Sequence, residues 1–394
     1  MERAVNQERR LALRTAGLLT SGALLAGCVS RVGETPLFAP EPSFAAADAA
    51  VSDAIATSAC PGAVLAVGRS GRIVHSAVFG RRAVTPVAEL MTWDTVFDMA
   101  SLTKPMITAL AVMQLVEQGK LDVDQPLARY LPDFAANGKA AITLRLLLTH
   151  YSGLPPDLAL DQPWSGRTQA WHRVVAATPI HPPGETFVYS DINFIALGFL
   201  VERISGRTLP DYAATHILTP LGMRDSAFLP GASTRARVAP TQFDEHGVML
   251  RGVVHDPTAR RMGGYAGHAG LFSTATDVAT YSTALLDRRA GRDSRFPLSR
   301  GTLMMMTTPQ QPAGRAEQRG FGWDISSRYA TPRGERFSQE SFGHTGFTGT
   351  SLWIDPKNNC FVTLLTNRVH PDGHGGVVRL RKDVATAVAR SLSI

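Results

Sequence analysis

The chain predicts an α/β (α+β) fold: an antiparallel sheet flanked by helices, with a mainly helical lobe inserted between the strands at its two ends. Three observations predict it. Segments with β character gather near the beginning and the end of the chain, helical period dominates the middle, and one uncharged apolar run, Met106 to Val116, reads as a helix buried on all sides. In order, residues 62–68 and 73–79 flank Arg69-Ser70-Gly71-Arg72, a hairpin signal. The buried run follows, ended by Gly119 and too short to span a bilayer. Leu121–Pro126 opens a short helix ending near Tyr130, and Ile142–His150 is a further helix capped by Thr143. Residues 166–177 and 193–204 have helical period, 225–264 are irregular, and Thr276–Leu286 is a helix with Asp277 in its first turn. Strands are expected at about 320–325, 341–344, 350–355 and 360–366, then a closing helix from about 375 to 392.

The first 27 residues read as an export signal: Arg3, Arg9, Arg10 and Arg14 precede an apolar core, Leu18–Ala26. Leu25-Ala26-Gly27-Cys28 resembles the bacterial lipobox, which implies a lipid on Cys28, and Arg9–Arg14 loosely resembles a twin-arginine signal. Val29 in place of an aspartate implies a periplasmic protein tethered to the outer rather than the inner membrane. Residues 28–43 are the tether, and 44–394 one domain, with a sheet-bearing lobe at about 44–120 and 265–394 and a helical lobe at about 121–264. The formal charge of +7 falls to +5 once the four arginines and two glutamates of the signal are removed. That mild, dispersed charge, without a basic stripe and interleaved aromatics, argues against nucleic-acid binding.

The chemistry centres on Phe97–Ile107. Ser101 and Lys104 lie three residues apart at the mouth of the buried helix and so share a face. A lysine amine there acts as a base toward the serine hydroxyl if burial lowers its pKa, and the helix mouth offers a backbone N–H to an oxyanion. Two other stretches are open to two readings. Tyr189, in the loop before a helix, either presents its hydroxyl to Ser101 or packs on the helical lobe with Asp191 as N-cap. Phe342–Gly349 is either a glycine-rich strand that admits a substrate backbone or a bulged edge strand carrying a surface histidine, His344. His255, Asp256 and His268 hint at zinc, but their spacing fits no standard ligand pattern, so no metal or cofactor is expected. They read instead as part of a Gly-rich loop, 263–270, bordering the cleft, with His255 or Asp256 ordering it.

Together, Ser101-Leu102-Thr103-Lys104, Tyr189-Ser190-Asp191 and His344-Thr345-Gly346 resemble the serine β-lactamase and penicillin-binding protein superfamily. The likeness is strongest to its class C β-lactamase, D-alanyl-D-alanine carboxypeptidase and family VIII esterase branch. The 254–270 stretch is similar to a lipoprotein-like branch represented by penicillin-binding protein 4B. The resemblance implies Ser101 as nucleophile, Lys104 and Tyr189 sharing its proton, and the backbone N–H groups of Ser101 and Phe347 as the oxyanion hole. It implies Asp191 and His344 in support, and Thr345 and Gly346 along the substrate. Asp191 replaces the asparagine usual in β-lactamases and is expected to pair with Lys104; His344 replaces a lysine that grips a substrate carboxylate. Two cations near Tyr189, Lys104 and His344, are expected to favour its phenolate. Arg260 and Arg261 are candidates to meet an anionic wall peptide. The fold places Cys60 and Cys360 at opposite ends of paired strands, about 20 Å apart, which predicts two free thiols. The implied function is acyl-enzyme hydrolysis of D-alanyl cell-wall peptides or small acyl esters. The alternatives are β-lactamase activity or a non-catalytic wall-binding lipoprotein.

Overall fold

The computed structural model describes residues 42–394, which form one compact unit. The export signal 1–27, Cys28 and the tether as far as residue 41 lie outside the described residues. Phe44 is buried and leads into a helix, Ala45–Ala56, that the alanine-rich sequence does not announce.

An eight-stranded antiparallel sheet is assembled from both ends of the chain. Its spatial order is Glu89–Leu90, Arg72–Ala83, Gly62–Arg69, Cys360–Thr366, Ser351–Asp355, Phe342–Thr345, Asp324–Ser326 and Gln318–Arg319. Strand Gly62–Arg69 is central and buried on both faces, so it carries no polar alternation. Its period of two still sorts it: Val64 and Ala66 enter the larger core, and Ala63, Leu65 and Val67 enter a smaller one. The smaller core packs under Ala45–Ala56 and the closing helix, Val378–Ser391. The larger core is continuous from the sheet through the Ser101 helix into the helical insertion. Arg69 pairs with Cys360 and Ala63 with Thr366, so Cys60 and Cys360 do lie at opposite ends of the pair, and both thiols are free.

Two elements depart from expectation. The buried run does not form one α-helix: a 3₁₀ turn, Ala100–Leu102, leads into a π-helical segment, Lys104–Ala109, and then an α-helix, Leu110–Glu117. In an α-helical register the Pro105 ring would crowd the Ser101 carbonyl, to which it has no N–H to give; a wider turn relieves that crowding. The strand expected at 320–325 is two short strands around a turn at Gly322 (φ +80°), which lies against the π-helical segment. A Cβ there would come within 2.7 Å of the Ala109 Cβ, so the turn closes only with glycine. A further helix, Arg300–Met306, was also not anticipated.

Candidate active site

Ser101 sits in the 3₁₀ turn, preceded by Ala100 in the left-handed region at φ +46°. Alanine rarely adopts this conformation, and Asp98 holds it there. The Asp98 carboxylate accepts the Ala100 N–H at 2.8 Å and the His255 N–H at 2.7 Å. Complete burial pushes its pKa up to about 6, against the pull of those two donors.

Lys104 is fully buried on the same helix face as Ser101, and its Nζ donates to Ser101 Oγ at 2.8 Å and to the His268 carbonyl at 3.1 Å. Asp191, the first residue of helix Asp191–Ser205, brings its carboxylate to 2.6 Å from Nζ. Tyr189 lies two residues before it; Lys104 Nζ is 5.1 Å from the centre of its ring, and the Ser101 and Lys104 side chains both act on its hydroxyl. Hydroxyl, amine, phenol and carboxylate therefore converge from two segments far apart in the sequence. Ser190, not Asp191, occupies the N-cap position of the helix.

Electrostatics correct two expectations. Burial alone would lower the Lys104 pKa, but the Asp191 carboxylate 2.6 Å away outweighs it and holds the ammonium above its ordinary value. Tyr189 is pushed up: burial dominates, Lys104 pulls the other way and Asp191 reinforces burial. The resting site thus holds a charged lysine and a neutral phenol, not a standing phenolate. His344 is not a second cation. It is buried on strand Phe342–Thr345 with its Nδ1 2.9 Å from the Thr345 carbonyl oxygen, and burial, with Arg319 and Lys104 nearby, depresses its pKa far below the ordinary histidine value. Its ring centroid lies 6.0 Å from that of Tyr189.

The glycines of this strand also serve a different end. A Cβ on Gly346 would meet Thr350 Oγ1 at 2.1 Å and the Met99 carbonyl oxygen at 2.6 Å. A Cβ on Gly343 would overlap Trp353. Their emptiness is filled by the chain itself, and Gly346 lets the strand end lie against the turn that carries Ser101.

Ser101, Tyr189, Asp191, Thr345, Gly346 and Phe347 all line one cleft of about 1130 Å³. His255 stacks on Phe347, with ring centroids 5.5 Å apart. Asp256 caps helix Pro257–Arg261 through the Ala259 N–H and sits 2.8 Å from Nε2 of the buried His268. That pairing raises the His268 pKa in spite of burial. Asp191, Asp256 and His268 bring their ligand atoms within 4.8 Å of one another, but beside them the Lys104 ammonium already supplies a positive charge. Of the paired arginines, Arg260 borders the cleft, 3.3 Å from Glu245, while Arg261 holds the carbonyls of Gln162 and Leu160.

Sequence reasoning missed the opposite wall. Arg368 donates to the Phe347 and Gly375 carbonyls, and Arg381 to those of Gly346 and Thr350. Neither has a carboxylate partner among the described residues, and Nε of Arg381 is buried without an acceptor. Both border the cleft beside the first turn of the closing helix. No local motif marks them.

A nucleophile-bearing helix mouth, a lysine and tyrosine around its hydroxyl and a sheet edge alongside define a serine hydrolase of the acyl-enzyme type. The chain belongs to the Beta-lactamase family, whose sequence model matches residues 47–386. A candidate D-alanyl-D-alanine carboxypeptidase of Escherichia coli K12 is 32% identical over 314 residues, covering 71% of this chain and 70% of that protein. A Bacillus subtilis protein named N-acetylmuramyl-L-alanine amidase is 32% identical over 350 residues, covering 79% and 78%. Among solved structures, the octameric penicillin-binding protein homologue of Pyrococcus abyssi superposes with a TM-score of 0.69 at 25% identity, covering 89% of this chain and 78% of that one.

Proposed function

We propose that this hydrolase acts on cell-wall peptides through Ser101, cleaving acyl donors whose leaving group carries a free carboxylate, such as a terminal D-alanine. In this reading the proton of Ser101 passes to Tyr189 when the phenol is ionised, beside the Lys104 ammonium. Oγ then attacks the scissile carbonyl carbon. The N–H groups of Ser101 and Phe347 receive the oxyanion, and Tyr189 returns the proton to the departing amine. Water repeats the sequence on the acyl-enzyme. Thr345 and Gly346 border the acyl chain.

The observation that carries the substrate class is the wall of Arg368 and Arg381, two guanidiniums without acidic partners among the described residues, beside the Phe347 turn. They supply the positive charge that His344, held neutral, does not. The names of the two relatives, both referring to wall-peptide amide bonds, support the same direction. The test compares a wall pentapeptide with its C-terminal amide. D-Alanine is released from the acid, and the capped peptide reacts at least tenfold more slowly; equal rates refute the assignment. Nitrophenyl butyrate and a chromogenic cephalosporin, run in parallel, rank the ester and β-lactam alternatives. Labelling at Ser101 by a fluorophosphonate excludes the non-catalytic wall-binding reading. Export and lipidation at Cys28 belong to this proposal too, supported by the arginine-rich head and the Leu25–Cys28 motif. Incorporation of labelled palmitate that is lost in Cys28→Ala tests them.

A further inference from the structure

His150 ends the short helix Leu144–Leu148 and its following turn, in the left-handed region at φ +63°, and is fully buried. A non-glycine residue held there needs support from its surroundings. Here the support is directed at one neighbour. The His150 carbonyl accepts the Val188 N–H at 3.0 Å, and its Nδ1 accepts the Ser190 N–H at 3.1 Å. These are the residues immediately before and after Tyr189. Between the two bonds the imidazole lies against the phenol ring, with centroids 4.5 Å apart and planes inclined by 28°. Tyr189 is thus gripped by backbone on both sides and by a ring on one face. Asn193 Nδ2 lies 3.4 Å from the same Nδ1, and Ser152 Oγ donates to Asn193 Oδ1 at 2.6 Å, so the imidazole is itself fixed.

We infer that His150 is a positioning residue for acyl transfer: it aims the Tyr189 phenol at Ser101, through an Nδ1 that must stay unprotonated to accept the Ser190 N–H. This rests on the role of Tyr189 given above. The chemistry of the ring agrees. With Nδ1 as acceptor the proton sits on Nε2, which is buried without a partner. Burial, Arg319 and Lys104 all oppose a second proton. A protonated ring would turn the Nδ1 lone pair into a donor facing an N–H, and the grip on the loop would open.

The test separates the two contacts. His150→Asn places Oδ1 near the position of Nδ1 but removes the ring; His150→Phe keeps a ring and removes the acceptor. Each lowers kcat at least tenfold on nitrophenyl butyrate, with KM changed less than twofold, per active site titrated with a fluorophosphonate. In a Tyr189→Phe background either substitution changes the residual rate less than twofold, because the group being aimed is gone. An equal loss in both backgrounds, or unchanged kcat in the single variants, overturns the inference. If Tyr189→Phe alone leaves the rate intact, the role of Tyr189 falls instead, and the two failures are distinguishable. Nitrogen NMR of histidine-labelled wild-type protein gives an independent reading that needs no variant to fold. One buried ring shows the Nε2–H tautomer at neutral pH, assigned by its loss in His150→Asn or by contact with tyrosine ring protons. An Nδ1–H or doubly protonated signal for that ring overturns the inference.

Discussion

Asp191→Asn tests the electrostatics of the site most directly. The carboxylate lies 2.6 Å from Lys104 Nζ, with the lysine side chain fully buried and the aspartate 21% exposed. At an effective dielectric constant of about 20 that separation corresponds to a gross attraction of about 6 kcal/mol. Desolvation cancels much of it, and the remainder is read as a displacement of the alkaline rise. Both shifts have the same sign. Without the carboxylate, burial is left to pull Lys104 down, and Tyr189 loses one of the two influences that push it up. A base whose pKa is raised works only as the pH climbs toward that value, so the rise of kcat/KM moves to lower pH in Asp191→Asn. The assay is the profile of kcat/KM for an activated ester over roughly pH 5 to 10. An alkaline rise that stays within about 0.3 units of its wild-type position refutes the claim that Asp191 sets the charge state of the base.

Other substitutions reach different parts of the argument. Ser101→Ala abolishes the acyl-enzyme seen by mass spectrometry, and Tyr189→Phe lowers kcat by about 10²–10⁴-fold while the protein stays folded by circular dichroism. Gly346→Ala forces a methyl group into Thr350 and the Met99 carbonyl; a loss of about 1–3 kcal/mol in urea unfolding, together with slower acylation, is expected. Glu89, held down to about 2 chiefly by the hydrogen bond from Arg251 and also by Arg82, has a folded pKa below its unfolded value. Its contribution is therefore complete above about 4.5 and is lost as the pH falls toward 2. Acid unfolding of Glu89→Gln is accordingly less steep in that window than that of wild type.

The sheet was legible because its strands carry the pattern that their neighbours demand. The apolar run 62–67, a turn and a second β-rich stretch read as a hairpin, and 360–366, its partner in the sheet, carries the same apolar character. Ser101, Lys104 and Tyr189 were legible because nucleophile, base and phenol stand in short motifs. What the motifs do not carry is the environment. Whether Tyr189 rests as phenol or phenolate depends on burial and on a neutral His344, which no spacing reveals. Gly346 looked like room for a substrate because a sequence does not say that Met99 and Thr350 fill the space. Arg368, Arg381 and His150 make their contacts across the fold, with partners distant in sequence or by ring stacking, and leave no local signature. The register change in the Ser101 helix sits at Pro105, and a proline just inside a helix does not by itself tell a widened turn from an ordinary start.

Arg381 ties the last helix of the chain to the carbonyls of Gly346 and Thr350, at the edge of the cleft. The central pairing of Gly62–Arg69 likewise waits for Cys360–Thr366. The two ends of the sheet must therefore meet before the edge strand beside Ser101 is in place, and such distant pairings close late. A fragment ending short of that helix would keep Ser101, Lys104 and Tyr189 yet lose the guanidinium that braces the Gly346 and Thr350 carbonyls.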